Sequence, residues 1–395
     1  MAARDVLIVD ARRSAVAPVG GALSALTAHD LGAPLLRALL ARSDMAGETV
    51  DLVLVGNALG AGGNPARLVA LAAGLPDRVG ALSIDSQCDA GLDAITLAAS
   101  LVASGQAEVV IAGGVEAWSR APVRAHRPLR VDADPLPYER PAFAPDPARD
   151  PDLLAAATAW AREAGITRAM QDAWAVTSHR RAVASRADLA DEIEPIAGLA
   201  RDACPRLIDA SRVARLPPAW RTATGLGNEQ ASADTDPVHA PSLLGLSPRA
   251  DGAAMLLLAS EAASTRLGLS PCARWRSGAM TGGNPERPMA AAAQAIRLAL
   301  SRAGLADLAS LAAIELHDAF AVQALHIAAA LGLDPSHLNR RGGGLSRGHP
   351  IGASGAIALV RVLADLRRAG QPGSTGLASI AAAGGLGAAV VVERV

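Results

Sequence analysis

The chain has 395 residues, 51% of them hydrophobic but 2% aromatic, and a formal net charge of −1. That length supports a large core and two or three domains, packed from Ala, Val, Leu and Ile rather than from rings. The near-neutral balance offers no basic face for nucleic acid. No lysine occurs anywhere in the sequence, which excludes Schiff-base chemistry, pyridoxal phosphate attachment and a Walker-type phosphate loop.

Three scattered cysteines form neither a disulfide framework nor a metal-ligand set. The chain runs from Met1 straight into a strand pattern, with no secretory apolar segment and no run long enough to cross a membrane. A soluble, cytoplasmic protein is expected.

Taken in order, residues 6–9 read as a buried strand, 11–21 as a loop and 25–41 as an amphipathic helix. A second strand spans 50–55. A glycine-rich loop follows at 56–67, containing Asn64-Pro65-Ala66-Arg67, and then a short helix with Leu68, Ala70 and Leu71. The apolar run 79–84 leads to Ser86-Gln87-Cys88-Asp89-Ala90-Gly91, which opens a helix carrying Leu92, Ile95, Leu101 and Val102. Residues 109–114 form a strand ending in glycines. After Trp118 the composition turns rich in Pro, Arg and Asp, with helical periods at 153–165 and 167–186 and an irregular stretch at 200–241.

The final third repeats the first. Strand patterns at 273–279, 311–316 and 377–385, helices at 289–303 and 356–366, and a closing strand at 388–392 follow the N-terminal order. The predicted organisation is an α/β protein of two pseudo-symmetric halves, with helices sandwiched between two sheets. Residues 1–118 form the first half, to which 241–264 return. Residues 119–240 form an inserted, loop-rich subdomain, and 265–395 the second half.

Two stretches carry chemistry. Cys88 sits at a helix start, where unpaired N–H groups carry partial positive charge, so its thiol pKa is expected to be lowered. Gly342 to Gly355, containing Gly348-His349-Pro350, opens the matching helix of the second half. Cys88 and His349 on two matching helix starts suggest a nucleophile and its base. Cys204 and Cys272 read as structural, with Cys204 the one that could reach a pocket. His317 reads equally as a packed or Asp318-paired residue and as a catalytic one. Trp160 and Trp174 read as core, and Arg340-Arg341 as a solvated turn rather than a phosphate contact.

These residues resemble the thiolases over nearly the whole chain. Gly20-Gly21, Asn64-Pro65-Ala66-Arg67, the Cys88 segment, Val109 to Glu116, Asp251-Gly252-Ala253-Ala254 and Gly348-His349-Pro350-Ile351-Gly352-Ala353-Ser354-Gly355 match in order. The resemblance implies a five-layered thiolase-like fold and an acyl thioester formed on Cys88 from acyl-CoA. It makes His349 the base, with the backbone N–H groups of Cys88 and Ala383 at an oxyanion site. Ser247 would contact pantetheine. Coenzyme A enters as substrate or product with no separate cofactor or metal, and the assembly is a homodimer or dimer of dimers.

The pattern departs from the family at the proton-shuttling cysteine, where Ala381 stands in Ala381-Ala382-Ala383-Gly384-Gly385. His317-Asp318-Ala319-Phe320 resembles the His-Asp-Cys-Phe form of sterol-carrier-protein-type thiolases, with Ala319 in place of the cysteine. Asp152-Leu153-Leu154 replaces a His-Met-Gly element. Acyl transfer to Cys88 needs none of these groups, whereas carbon–carbon bond formation needs an α-proton moved. Two alternatives therefore stand beside a thiolase that cleaves or forms 3-ketoacyl-CoA. One is decarboxylative or other acyl transfer by a Cys88-His349-His317 set. The other is a non-catalytic homologue that binds CoA esters.

Overall fold

The structure is a computed structural model and describes residues 4–219 and 236–395. The part of the irregular stretch at 220–235 lies outside the described residues. Nine main strands form one path: β1 (Val6–Ser14), β2 (Leu52–Gly56), β3 (Gly80–Ile84), β4 (Val109–Ala117), β5 (Ala250–Ser260), β6 (Ala273–Gly282), β7 (Ala313–Leu316), β8 (Thr375–Ala382) and β9 (Leu386–Arg394).

The first half orders its strands β1-β5-β4-β2-β3, and the second β6-β9-β8-β7. In both, the first two pairings are antiparallel and the next is parallel. The halves thus match strand for strand, with β3 as an addition on the first. They meet where β1 pairs β6 at Leu7↔Arg274 and Ile8↔Ala273.

Helices make the other layers. α1 (Ala28–Arg42) and α2 (Pro65–Ala72) cover the outer face of the first sheet, where Leu31, Leu35 and Leu39 join Val53, Val55 and Leu257. α3 (Ala90–Ala103) and α8 (Ser354–Ala369) lie between the sheets, with Leu92, Ile95, Ile357 and Val360 packed against Val110, Leu256, Ile380 and Val390. α4 (Leu153–Glu163), α5 (Arg168–Ala184), α6 (Ala291–Ala303) and α7 (Ala321–Ala330) cover the outer face of the second sheet, and Trp160 and Trp174 are core there. The result is the expected α-β-α-β-α stack.

Local chemistry sets the ends. Thr27 and Asp30 close a capping box on α1. Asn64 caps α2 by accepting from Arg67 N, with Pro65 at the first helical position. In the middle layer the backbones nearly touch. A Cβ at Gly91 would lie 2.6 Å from the Gly352 carbonyl oxygen, and one at Gly114 would collide with that same oxygen.

The loop expected at 11–21 is overturned in its first part, since β1 continues to Ser14. Two arginines break the apolar pattern, yet Arg13 is wholly buried. Its guanidinium donates to Glu192 at 2.7 Å and to both oxygens of Asp202 at 2.7 and 2.9 Å. Paired in this way, the charge is tolerated inside.

Candidate active site

β3 ends at Ile84, and a 3₁₀ turn, Gln87–Asp89, precedes α3. Gln87 takes φ +59, a left-handed conformation that costs a non-glycine residue about 1–3 kcal/mol. The turn holds it there: Gln87 N donates to Asp85 at 2.9 Å, and Ser86 Oγ donates to Asp93 at 2.6 Å. Cys88 is the middle residue of this turn.

The second half brings its own turn to the same place. His349 N donates to the Pro248 carbonyl at 2.7 Å, which stitches the turn to residues 246–249. His349 Nε2 lies 3.2 Å from Cys88 Sγ, and Nδ1 lies 2.7 Å from Ser354 Oγ. The Ser354 hydroxyl donates to the Pro350 carbonyl at 3.0 Å. Its oxygen therefore accepts from Nδ1–H, which leaves the Nε2 lone pair for the thiol.

The expected lowering of the Cys88 pKa is not found. The thiol is pushed up to about 12, first by burial and then by Asp89, against which the backbone amides of Ala383 and Cys88 act more weakly, and Glu116 adds the smallest push. The helix-start argument counts the amides but not the burial. His349 is pushed down to about 4 by burial. At neutral pH the resting pair is thiol and imidazole, not thiolate and imidazolium.

His317 joins them, its ring centroid 4.4 Å from that of His349. It is not paired with Asp318. That carboxylate accepts from Trp174 Nε1 at 2.9 Å and from Leu345 N at 3.3 Å, on the outer side of the sheet. Neither ring nitrogen of His317 has a hydrogen-bond partner among the described residues. Burial, His349 and Arg347 hold its pKa well below the usual value. The glycines at 343–344 make room for these side chains: a Cβ at Gly344 would lie 2.6 Å from His317 Cε1, and one at Gly343 would strike Asp318.

The other expected positions fall around this centre. Ser247 N donates to Ala319 O at 2.9 Å, and its hydroxyl donates to Gly344 O at 2.6 Å. Asp152 caps α4, accepting from Leu154 N and Ala155 N. Ala383 is buried, ahead of Gly384 and Gly385 at φ +80 and +79. Arg341 is paired with Asp188 and Asp365, and Arg340 donates to Ala312 O. Cys204 and Cys272 are free thiols pushed up to about 11 by burial.

Two supporting residues went unassigned in the sequence. Ser354 lies within the quoted Gly-Ala-Ser-Gly run. Glu116 ends the quoted 109–116 stretch and ties three segments together. It accepts from Asn57 Nδ2 at 2.8 Å, Ala58 N at 3.0 Å and Gly352 N at 2.9 Å. Burial pushes its carboxyl up to about 7.

Comparison with known proteins agrees with this geometry. The family description "Thiolase, N-terminal domain" matches residues 6–262, and "Thiolase, C-terminal domain" matches 269–394. An acetyl-CoA acetyltransferase of Cupriavidus necator is 36% identical, with 99% of each chain covered. The crystal structure of the Bacillus anthracis acetyl-CoA acetyltransferase superposes with a TM-score of 0.89 at 31% identity over 100% of both chains. That of an Ascaris suum thiolase in complex with coenzyme A gives 0.86 at 28% identity, covering 99% of this chain and 100% of its own. These likenesses favour thiolase acyl transfer over the decarboxylative and non-catalytic alternatives.

Proposed function

The chain belongs to the thiolase family and is a thiolase-type acyltransferase, and from that premise we propose that it cleaves or forms 3-ketoacyl-CoA through an acyl thioester on Cys88. The observation that carries this is the 3.2 Å approach of His349 Nε2 to Cys88 Sγ, with Nδ1 anchored on Ser354. In cleavage, the sulfur attacks the 3-keto carbonyl as Nε2 takes the thiol proton. The oxyanion is held by the backbone N–H groups of Cys88 and Ala383. The bond between C2 and C3 breaks and its electron pair leaves as the enolate of acetyl-CoA, which His317 steadies directly or through water. The enolate carbon takes up the proton that left Cys88, giving acetyl-CoA. Free CoA, losing its thiol proton to His349 Nε2, then takes the acyl group as the bond to Cys88 Sγ breaks, and Nε2 returns that proton to the sulfur. Ser247 lines the pantetheine path.

The same reading divides the chain into 1–118 with 241–264, 119–240 and 265–395. It includes a homodimer or dimer of dimers, supported by the outer strand β3, which pairs with β2 alone among the described residues and exposes Leu82 beside the Cys88 turn. A cytoplasmic location fits three free thiols, and no described helix is long and apolar enough to cross a membrane.

Intact-protein mass spectrometry after mixing with acetoacetyl-CoA tests the proposal. An added acetyl group that is absent in Cys88→Ala, with acetyl-CoA released when CoA is supplied, is the expected result. Full activity in Cys88→Ala sinks it.

A further inference from the structure

This inference rests on the thiolase reading and concerns its carbon–carbon step. That step moves an α-proton, and neither Ala381 nor Ala319 carries a group that can hold one.

Side chains alternate along β7. Ala313 belongs to the inner core, while Ile314 and Leu316 belong to the outer one, and Asp318 meets Trp174 of the outer layer. His317 N donates to Ser379 O at 2.9 Å and so continues the pairing of β7 with β8. Glu315 and His317 therefore occupy successive positions on the inner face, about 7 Å apart along the strand. Glu315 is 2% exposed and His317 1%.

Glu315 Oε1, both His317 ring nitrogens, and Arg347 Nε and Nη2 are buried without hydrogen-bond partners among the described residues. Buried polar atoms of this kind are commonly satisfied by ordered water. Arg347 acts electrostatically on both Glu315 and His317. The charges facing Glu315 include Arg361 and Asp365 from α8, Arg347 from the turn before His349, Glu192, and Arg181 from α5. Arg361 Nη2 lies 4.0 Å from Glu315 Oε1, and its Nη1 donates to Glu192 at 2.6 Å.

We propose that Glu315, behind His317 and flanked by Arg347 and Arg361, is the proton store of the carbon–carbon step. In the synthetic direction, the α C–H bond of the donor acetyl-CoA breaks and its electron pair stays as the enolate. The proton lands on one ring nitrogen of His317. The proton on the other nitrogen passes through water to the Glu315 carboxylate, leaving a neutral imidazole in its other tautomer. The enolate carbon then attacks the acyl carbonyl, and the bond from that carbon to Cys88 Sγ breaks. The stored proton returns through His317 and His349 to the Cys88 thiolate. Cleavage runs the same path in reverse.

The environment suits these roles. His317 is held far from its charged form, so it passes a proton on rather than keeping it. Glu315 is pushed up to about 7, chiefly by burial, against the pull of Arg361 and Arg347. A group with that pKa both takes and gives a proton near neutrality.

The test compares two rates in the full chain: exchange of the acetyl-CoA methyl protons in heavy water, and acetylation of Cys88 followed by intact mass. Glu315→Gln is expected to slow exchange about 100-fold, to abolish its pH limb near 7, and to change acetylation less than about threefold. Glu315→Asp is expected to recover much of the exchange. Exchange within about threefold of the parent in folded Glu315→Gln overturns the proposal. So does an equal fall in both rates, which marks a purely structural carboxylate. No acetylation of Cys88 in the parent protein means instead that the thiolase reading itself has failed.

Discussion

The two halves share a strand order but surround the site with opposite charge. The first half sets carboxyl groups about its turn: Asp89 and Glu116 act on Cys88, and Asp93 lies one helical turn on. The second half sets arginines behind its own: Arg347 acts on His317, and Arg361 lies beyond it. Negative charge opposes a thiolate, and positive charge opposes an imidazolium. Burial is the first cause on both sides, and it acts alone on His349. The opposite charges add to it at Cys88 and at His317, so the resting nucleophile and the imidazoles beside it stay neutral until substrate arrives.

The largest effect follows from removing the first half's contribution. Cys88→Ala is expected to lower the rate of acetoacetyl-CoA cleavage by about 10⁴-fold or more, read from initial rates in the presence of CoA. The neutral pair itself is open to attack by alkylation. With a thiol near 12, the iodoacetamide reaction of Cys88 is expected to rise about tenfold per pH unit between pH 7 and 10. A rate flat across that range would reveal a thiolate–imidazolium pair at rest instead.

Smaller effects are expected at the residues that support the pair. Ser354→Ala removes the acceptor that fixes the His349 tautomer, and a loss of about tenfold in kcat with little change in KM is expected. Glu116→Gln sets an amide N–H₂ against backbone N–H donors, at a cost of about 1–3 kcal/mol in denaturant unfolding at pH 5. Because the folded pKa of Glu116 is raised from 4.5 to about 7, its stabilising effect is full below 4.5 and is lost as pH rises through about 7. The gap between parent and variant is therefore expected to narrow from pH 5 to pH 8.

Much of this was legible because the signals are local. Strand and helix periods repeat in both halves, and Cys88 and His349 stand at corresponding turns, so the two-sheet frame and the meeting of the pair could be anticipated. What escaped depends on distant partners. Arg13 looked like loop because Glu192 and Asp202 arrive from the inserted segment. The Cys88 pKa was misjudged because burial outweighs the amides of Cys88 and Ala383. Glu315 gave no signal, since its meaning comes from its alternation with His317 and from arginines on other elements.

The place of β5 in the first sheet has a consequence for synthesis. Residues 250–260 lie between β1 and β4, although β4 ends at Ala117. A ribosome adding about 5–20 residues per second takes about 7–30 s to make the intervening segment. Throughout that interval two apolar strands wait with open edges for a neighbour not yet made, a natural point for chaperones to engage the nascent chain.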